Sequence, residues 1–82
     1  MLLIVEVVDT AARYGRLVKL PVYARFGIPE AWLLHLPRGW LEAHREPSEE
    51  GYRQVRRYRR GERVSPLAFL DVAISVDDLL GR

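Results

Sequence analysis

Glu6 is the residue whose setting most needs a chemical explanation. It interrupts an otherwise apolar run from Leu2 to Val8, and an ionised carboxylate inside a buried strand is costly unless a cation or several donors compensate it. Two readings stand, a structural charge near a strand end or a metal ligand. Lys19 follows thirteen positions later, in a segment where Tyr23 and Phe26 share its face at helical spacing. It is either an exposed lysine whose stem covers those aromatics or a catalytic cation.

Other polar residues narrow the chemistry. Asp9 is an odd number of positions from Glu6 and would face the other side of a continued strand, so helix capping suits it better than ligation beside Glu6. His35 and His44 are too scattered to make a metal site, and each reads as a partly buried or surface histidine. No nucleophile has a base at useful spacing, and the isolated glycines form no phosphate-binding loop. Arg53, Arg56, Arg57, Arg59, Arg60 and Arg63 form a basic run interleaved with Tyr52 and Tyr58. Such a run could contact DNA phosphates while a tyrosine packs against sugar or base, with Arg53, Arg56 and Arg57 as candidate contacts. Glu49, Glu50 and Glu62 flank it and weaken any single-sign field. The favoured reading is a solvated outer strand whose charges discourage edge pairing.

The elements that must position these groups follow from pattern. Leu2–Val8 is continuous and β-branched, which suits a strand buried on both faces. Asp9 or Thr10 could cap a helix from about Ala12 to Phe26, with Leu17, Leu20 and Ala24 at helical spacing and Gly27 and Pro29 as its stop. Pro21 inside that segment predicts a kink or two short helical pieces. Ala31–Leu36 is a second strand, and strand, helix, strand order implies a right-handed crossover between parallel strands. Pro37, Arg38 and Gly39 make a turn, and Trp40–Arg45, a loop over 46–51 and Tyr52–Arg59 predict a hairpin. The tail holds Pro66, a short apolar stretch and a final helical turn at Val76–Leu80. The fold class is therefore α/β, a small mixed sheet with one crossover helix, in a single domain over residues 1–82.

Composition sets outer bounds. At 82 residues there is room for one core of marginal stability, and a hydrophobic fraction of 49% leaves apolar surface for a partner. Cysteine is absent, which excludes disulfides and thiolate metal sites. The apolar N-terminus lacks a basic leader and meets Glu6 too soon for a signal peptide or membrane span, so a cytoplasmic protein without a membrane partner is expected. A net charge of +2 permits nucleic-acid binding without requiring it. Lys19 is the only lysine, Gln54 the only glutamine, and asparagine is absent. Scarce amides suit a thermophile protein, and a GC-rich genome gives the same arginine bias.

The block from Val5-Glu6-Val7-Val8-Asp9 through Arg13-Tyr14-Gly15-Arg16-Leu17-Val18-Lys19 to Tyr23-Ala24-Arg25-Phe26-Gly27-Ile28-Pro29-Glu30-Ala31-Trp32 resembles the Uma-type putative restriction endonuclease family of the PD-(D/E)XK nuclease superfamily. Gly51-Tyr52-Arg53, Arg60-Gly61-Glu62-Arg63-Val64-Ser65-Pro66-Leu67 and Val76-Asp77-Asp78-Leu79-Leu80 extend the likeness over essentially the whole chain. The resemblance implies metal-dependent phosphodiester hydrolysis, with the usual lysine moved from the strand to the helix. Glu6 would be the catalytic acid and ligand of Mg²⁺, Val8 would fill the vacated place, and Lys19 would be the catalytic cation. That chemistry is coherent, since the metal polarises the phosphodiester and acidifies a water while the lysine stabilises developing charge. An isolated lysine in an arginine-rich chain also suits a role that arginine fills poorly.

Departures from the family pattern qualify that expectation. Gly15 stands where the family usually has aspartate, and His35 where an acidic residue follows the Trp32 strand. The superfamily also needs an aspartate on the strand before the glutamate strand, on which this chain begins. The chain is thus expected to be the C-terminal half of such a domain, with cleavage weak or lost. The alternative is a non-catalytic homodimeric module pairing through the Leu2–Val8 edge. In such a dimer the two Glu6 carboxylates could share a metal.

Overall fold

The computed structural model describes residues 1–8 and 12–81, with side chains over 1–8 and 19–81. Its elements are β1 (Ile4–Val8), α1 (Ala12–Arg25), β2 (Glu30–His35), β3 (Trp40–Ser48), β4 (Gly51–Arg59), β5 (Arg63–Val64), a 3-10 turn (Leu67–Phe69), β6 (Ile74–Ser75) and α2 (Val76–Leu80). Strands β1 to β4 form one sheet in chain order, while β5 and β6 pair separately. β1 and β2 run parallel, and the β2–β3 and β3–β4 pairs are antiparallel. This is the expected mixed sheet with one crossover helix, to which the tail adds a small second sheet. The capping role expected of Asp9 or Thr10 lies outside the described residues.

α1 runs through Pro21 as one element, so the two-piece alternative expected there is not found. A proline in a helix interior removes one backbone hydrogen bond and costs about 3 kcal/mol. Leu20 and Ala24, on either side of it, are buried against the sheet and offset that cost. The helix stops at Gly27, whose φ of 75° suits a residue without Cβ. Gly27 N–H donates to the Ala24 carbonyl at 2.9 Å and Ile28 N–H to the Tyr23 carbonyl at 3.1 Å, closing the last turn.

Strand alternation divides the side chains between two layers. On the α1 face Val8, Ala31 and Leu33 pack with Leu20, joined by Ile4, Tyr23 and Tyr52. On the opposite face Trp32, Leu34, Leu41, Ala43 and Val64 form a second cluster, against which Ile74, Leu79 and Leu80 of the tail pack. A buried carboxylate fastens this tail. Glu30, 0% exposed, accepts from Trp32 Nε1 at 2.7 Å, Arg45 Nε at 2.8 Å and the Leu67 backbone N–H at 2.8 Å. Arg45 also donates to the Ser65 carbonyl at 2.8 Å.

Two expectations are corrected at the sheet edges. β1 is not buried on both faces, because Val5 is 46% and Val7 59% exposed. In the described sheet β1 pairs only with β2, and the far-face cluster is built mainly on β2 and β3, leaving the outward side chains of β1 uncovered. The hairpin is also longer than its sequence suggested. β3 reaches Ser48 and β4 begins at Gly51, so strand takes up most of the expected loop. Ser48 Oγ donates to the Gly51 carbonyl at 2.6 Å and accepts from Glu50 N–H at 3.3 Å, which closes the tip. No helix among the described residues is long and apolar enough to cross a membrane.

Candidate active site

Glu6 sits at the middle of β1 and faces α1, where Lys19 and Tyr23, four positions apart, project from one side of the helix. Lys19 Nζ lies 3.6 Å from Glu6 Oε1, and Tyr23 OH donates a hydrogen bond to Glu6 Oε2. The site is open on one side, since the Lys19 side chain is 51% and the Glu6 side chain 24% exposed. Glu6 holds the Tyr23 proton in place. The hydrogen bond to the carboxylate, then burial, then the Glu6 charge push the Tyr23 pKa up to about 12. The charge inside the apolar strand is thus explained by two partners on the next helix. Phe26 is not part of this cluster and is largely exposed, so the aromatic cover expected along the Lys19 face reduces to Tyr23.

Metal chemistry has, among the described residues, one protein ligand available here. Among the described residues no group of three or more His, Asp or Glu side chains could hold an ion, and both oxygens of Glu6 are engaged. Mg²⁺ characteristically binds one or two carboxylates, water and substrate phosphate. Glu6 could serve as one of those carboxylates, but no second one from the described residues completes a site. His35 and His44 do not assist. His44 Nε2 lies 3.2 Å from Glu42 Oε1, whereas His35 pairs in register with Val8 and Trp40. Both are buried, deeper than the partly buried and surface readings expected for them.

A second charged row crosses the sheet at the level of Glu6. Glu6, Leu33, Glu42 and Arg57 are successive register partners from β1 to β4. Glu42 is 1% exposed and pairs with Arg57 at 3.6 Å. The Arg57 guanidinium also stacks 3.8 Å from the Trp40 ring centroid. Arg57 is therefore committed to structure, while Arg56 lies 5.3 Å from the Tyr58 ring and Arg53 is exposed. The candidate DNA contacts are thus not brought together with Glu6 and Lys19. β4 is the opposite edge of the described sheet.

Sequence reasoning missed Tyr23 as a partner of Glu6, and Glu30 and Glu42 as buried carboxylates. The signal for Tyr23 was its i+4 spacing from Lys19. For Glu42 it was the alternation of Leu41 and Ala43 with Glu42 and His44 in β3, which assigns the two pairs to opposite faces.

No curated protein and no solved structure matches the chain. A family match, however, runs over residues 1–77. It includes Glu6, Lys19 and the whole four-stranded sheet, and it gives no support to the expectation that the chain is only the C-terminal half of such a domain. With nearly its whole length matched, the chain belongs to the Uma2 family, described as "Putative restriction endonuclease".

Proposed function

We propose that this is a nuclease-like domain whose chemistry is directed at the phosphodiester backbone of DNA, with Glu6 as the metal-binding acid and Lys19 as the catalytic cation, and with cleavage weak or lost. The observation that carries this reading is the 3.6 Å approach of Lys19 Nζ to Glu6 Oε1. It joins a strand carboxylate and a helix amine in the arrangement that the family resemblance implies. Among the described residues no group of three or more ligand side chains forms around Glu6, so a metal there would take most of its coordination from water and substrate phosphate, and that supports the reduced activity. The test is cleavage of plasmid DNA by the purified chain with Mg²⁺ or Mn²⁺. Little or no cleavage is expected, and none that distinguishes wild type from Glu6→Gln. Robust cleavage abolished by both Glu6→Gln and Lys19→Ala would overturn the loss of activity and leave an active nuclease.

A second reading is favoured by β1 itself. In the described sheet its outer backbone edge has no strand beside it, and Val5 and Val7 are uncovered. An apolar edge strand is a template for pairing with another chain. On this reading the protein is a homodimeric interaction module joined through the Leu2–Val8 edge.

A further inference from the structure

We propose that the end of the sheet around Trp40 is a phosphate-binding platform for a nucleic-acid strand, formed by the guanidiniums of Arg38 and Arg59 beside the indole. It rests on the nuclease-like reading only for the identity of that strand. Trp40 opens β3, in register with His35 at the end of β2 and with Arg59 at the end of β4. Three guanidinium carbons surround its ring, with Arg57 at 3.8 Å, Arg38 at 5.7 Å and Arg59 at 5.8 Å from the centroid. A fourth cation is close by. Arg60 Nε lies 3.7 Å from the position a Cβ on Gly39 would occupy in the preceding turn.

The charges are unevenly compensated. Arg57 is paired with Glu42 at 3.6 Å and Arg60 with Asp77 at 3.3 Å. Arg38 and Arg59 are exposed, and among the described residues neither guanidinium has a carboxylate within ion-pair distance. The Glu62 carboxylate lies close by but accepts from the Arg59 backbone N–H at 2.6 Å, so among the described residues the two guanidinium forks at the indole keep their donors for an anion, and their planar geometry matches a phosphate. Two ring nitrogens lie beneath the platform, out of reach of a surface anion. Trp40 Nε1, which can only donate, and His35 Nδ1 are buried without a hydrogen-bond partner among the described residues. The two rings lie 5.8 Å apart.

The placement is in keeping with open α/β sheets, whose ligands bind beyond the carboxyl ends of the parallel strands, although here only β1 and β2 are parallel. Val8 and His35 end the two parallel strands and are register partners. Glu6 lies two residues back along β1, roughly 6.6 Å, and Trp40 roughly 10 Å across from Val8. One strand of nucleic acid can therefore reach both places. Arg53 and Arg56, nearer the β3–β4 turn, take no part in the platform.

The test is binding without metal. In EDTA at low salt, a single-stranded DNA decamer and inorganic phosphate are titrated separately while Trp40 fluorescence is followed; Trp32, buried in the core, supplies a constant background, and Trp40→Phe identifies the signal. The decamer is expected to bind and to change the Trp40 signal, with inorganic phosphate at least about tenfold weaker because it neutralises fewer cations. Arg38→Ala with Arg59→Ala should weaken decamer binding about tenfold and reduce the salt slope by about 1.4. Arg53→Ala with Arg56→Ala should change affinity less than about threefold. Thermal melting confirms that both double variants fold. Decamer binding undiminished in the Arg38 and Arg59 variant, or no binding of either titrant, overturns the platform. Phosphate binding as tight as the decamer overturns its assignment to a nucleic-acid strand. Since neither metal nor cleavage enters, a failure here is distinct from a failure of the Glu6 and Lys19 reading.

Discussion

Lys19 Nζ approaches Glu6 Oε1 to 3.6 Å across the gap between α1 and β1, and it does so with half its side chain in water. That exposure sets the energetic scale, because a solvent-screened pair contributes about 0–1 kcal/mol. Lys19→Ala should therefore cost less than about 1 kcal/mol in urea unfolding, with the loss shrinking as salt rises. The same substitution removes a cation that competes with a metal for Glu6. Mn²⁺ titrated calorimetrically at low salt should bind several-fold more tightly to Lys19→Ala than to wild type, and Glu6→Gln should abolish the heat. Equal Mn²⁺ affinity in all three proteins would remove Glu6 as a ligand.

Glu30 provides the contrast. Its carboxylate is fully buried and bonded to Trp32, Arg45 and the Leu67 backbone, so removing it strands the Arg45 charge and releases the tail. Breaking one side of a buried pair costs about 3–5 kcal/mol. In a domain of this size that is a fall of roughly 12 °C or more in melting temperature. Glu30→Ala should thus be far less stable than Glu6→Gln by circular dichroism melting, with enhanced proteolysis after Ser65. Melting temperatures within about 2 °C of each other would show that the Glu30 network does not fasten the tail.

How far the sequence could be read depended on the range of the interactions involved. α1, β2 and the hairpin were legible because they rest on local signals, helical spacing ending at Gly27 and apolar runs separated by turn residues. Glu6 and Lys19 were legible as candidates, since a charge in an apolar strand and a lone lysine are visible without coordinates. Partnerships across elements were not. Nothing local in Glu30-Ala31-Trp32 shows that Arg45 and Leu67 will converge on one carboxylate, or that Arg57 will leave the basic run to stack on Trp40. The burial of β1 was misread for a related reason. A β-branched run looks the same whether or not a neighbouring layer covers it, and here Val5 and Val7 remain exposed.

The Tyr23 phenol gives a pH signature. Its pKa is raised from 10.0 to about 12, chiefly by the hydrogen bond to Glu6, so the folded state favours the neutral phenol. The stabilisation is fully present below pH 10 and is lost as pH rises towards 12. Burial raises the Tyr52 pKa in the same direction, so the protein should lose stability over this window by more than one route. Tyr23→Phe should cost about 1.5–3 kcal/mol at neutral pH, the worth of a hydrogen bond to a charged group. It should also make the alkaline decline shallower in urea unfolding series from pH 8 to 12. An unchanged slope would mean that the phenol does not donate to Glu6 in solution.

The outer edge of β1 yields the prediction on assembly. Ile4–Val8 has β2 on one side, and among the described residues no strand lies on the other. Two copies paired antiparallel about a two-fold axis would satisfy those backbone groups and place Val5 and Val7 of each chain beside the other. The contact is short, so a dimer of about micromolar affinity is expected. Multi-angle light scattering over 1 to 100 µM, a range set by that estimate, should show a concentration-dependent shift from monomer to dimer. Val5→Pro cannot donate at the edge, and Val7→Lys places a charge on it, as natural edge strands do to prevent pairing. Both should remain monomeric over the same range. Val7→Lys keeps the test meaningful if proline perturbs the strand, because residue 7 is already 59% exposed and a surface substitution there changes stability by about 0.5 kcal/mol or less. A monomer at every concentration, or a dimer indifferent to both substitutions, would show that the edge is not the interface.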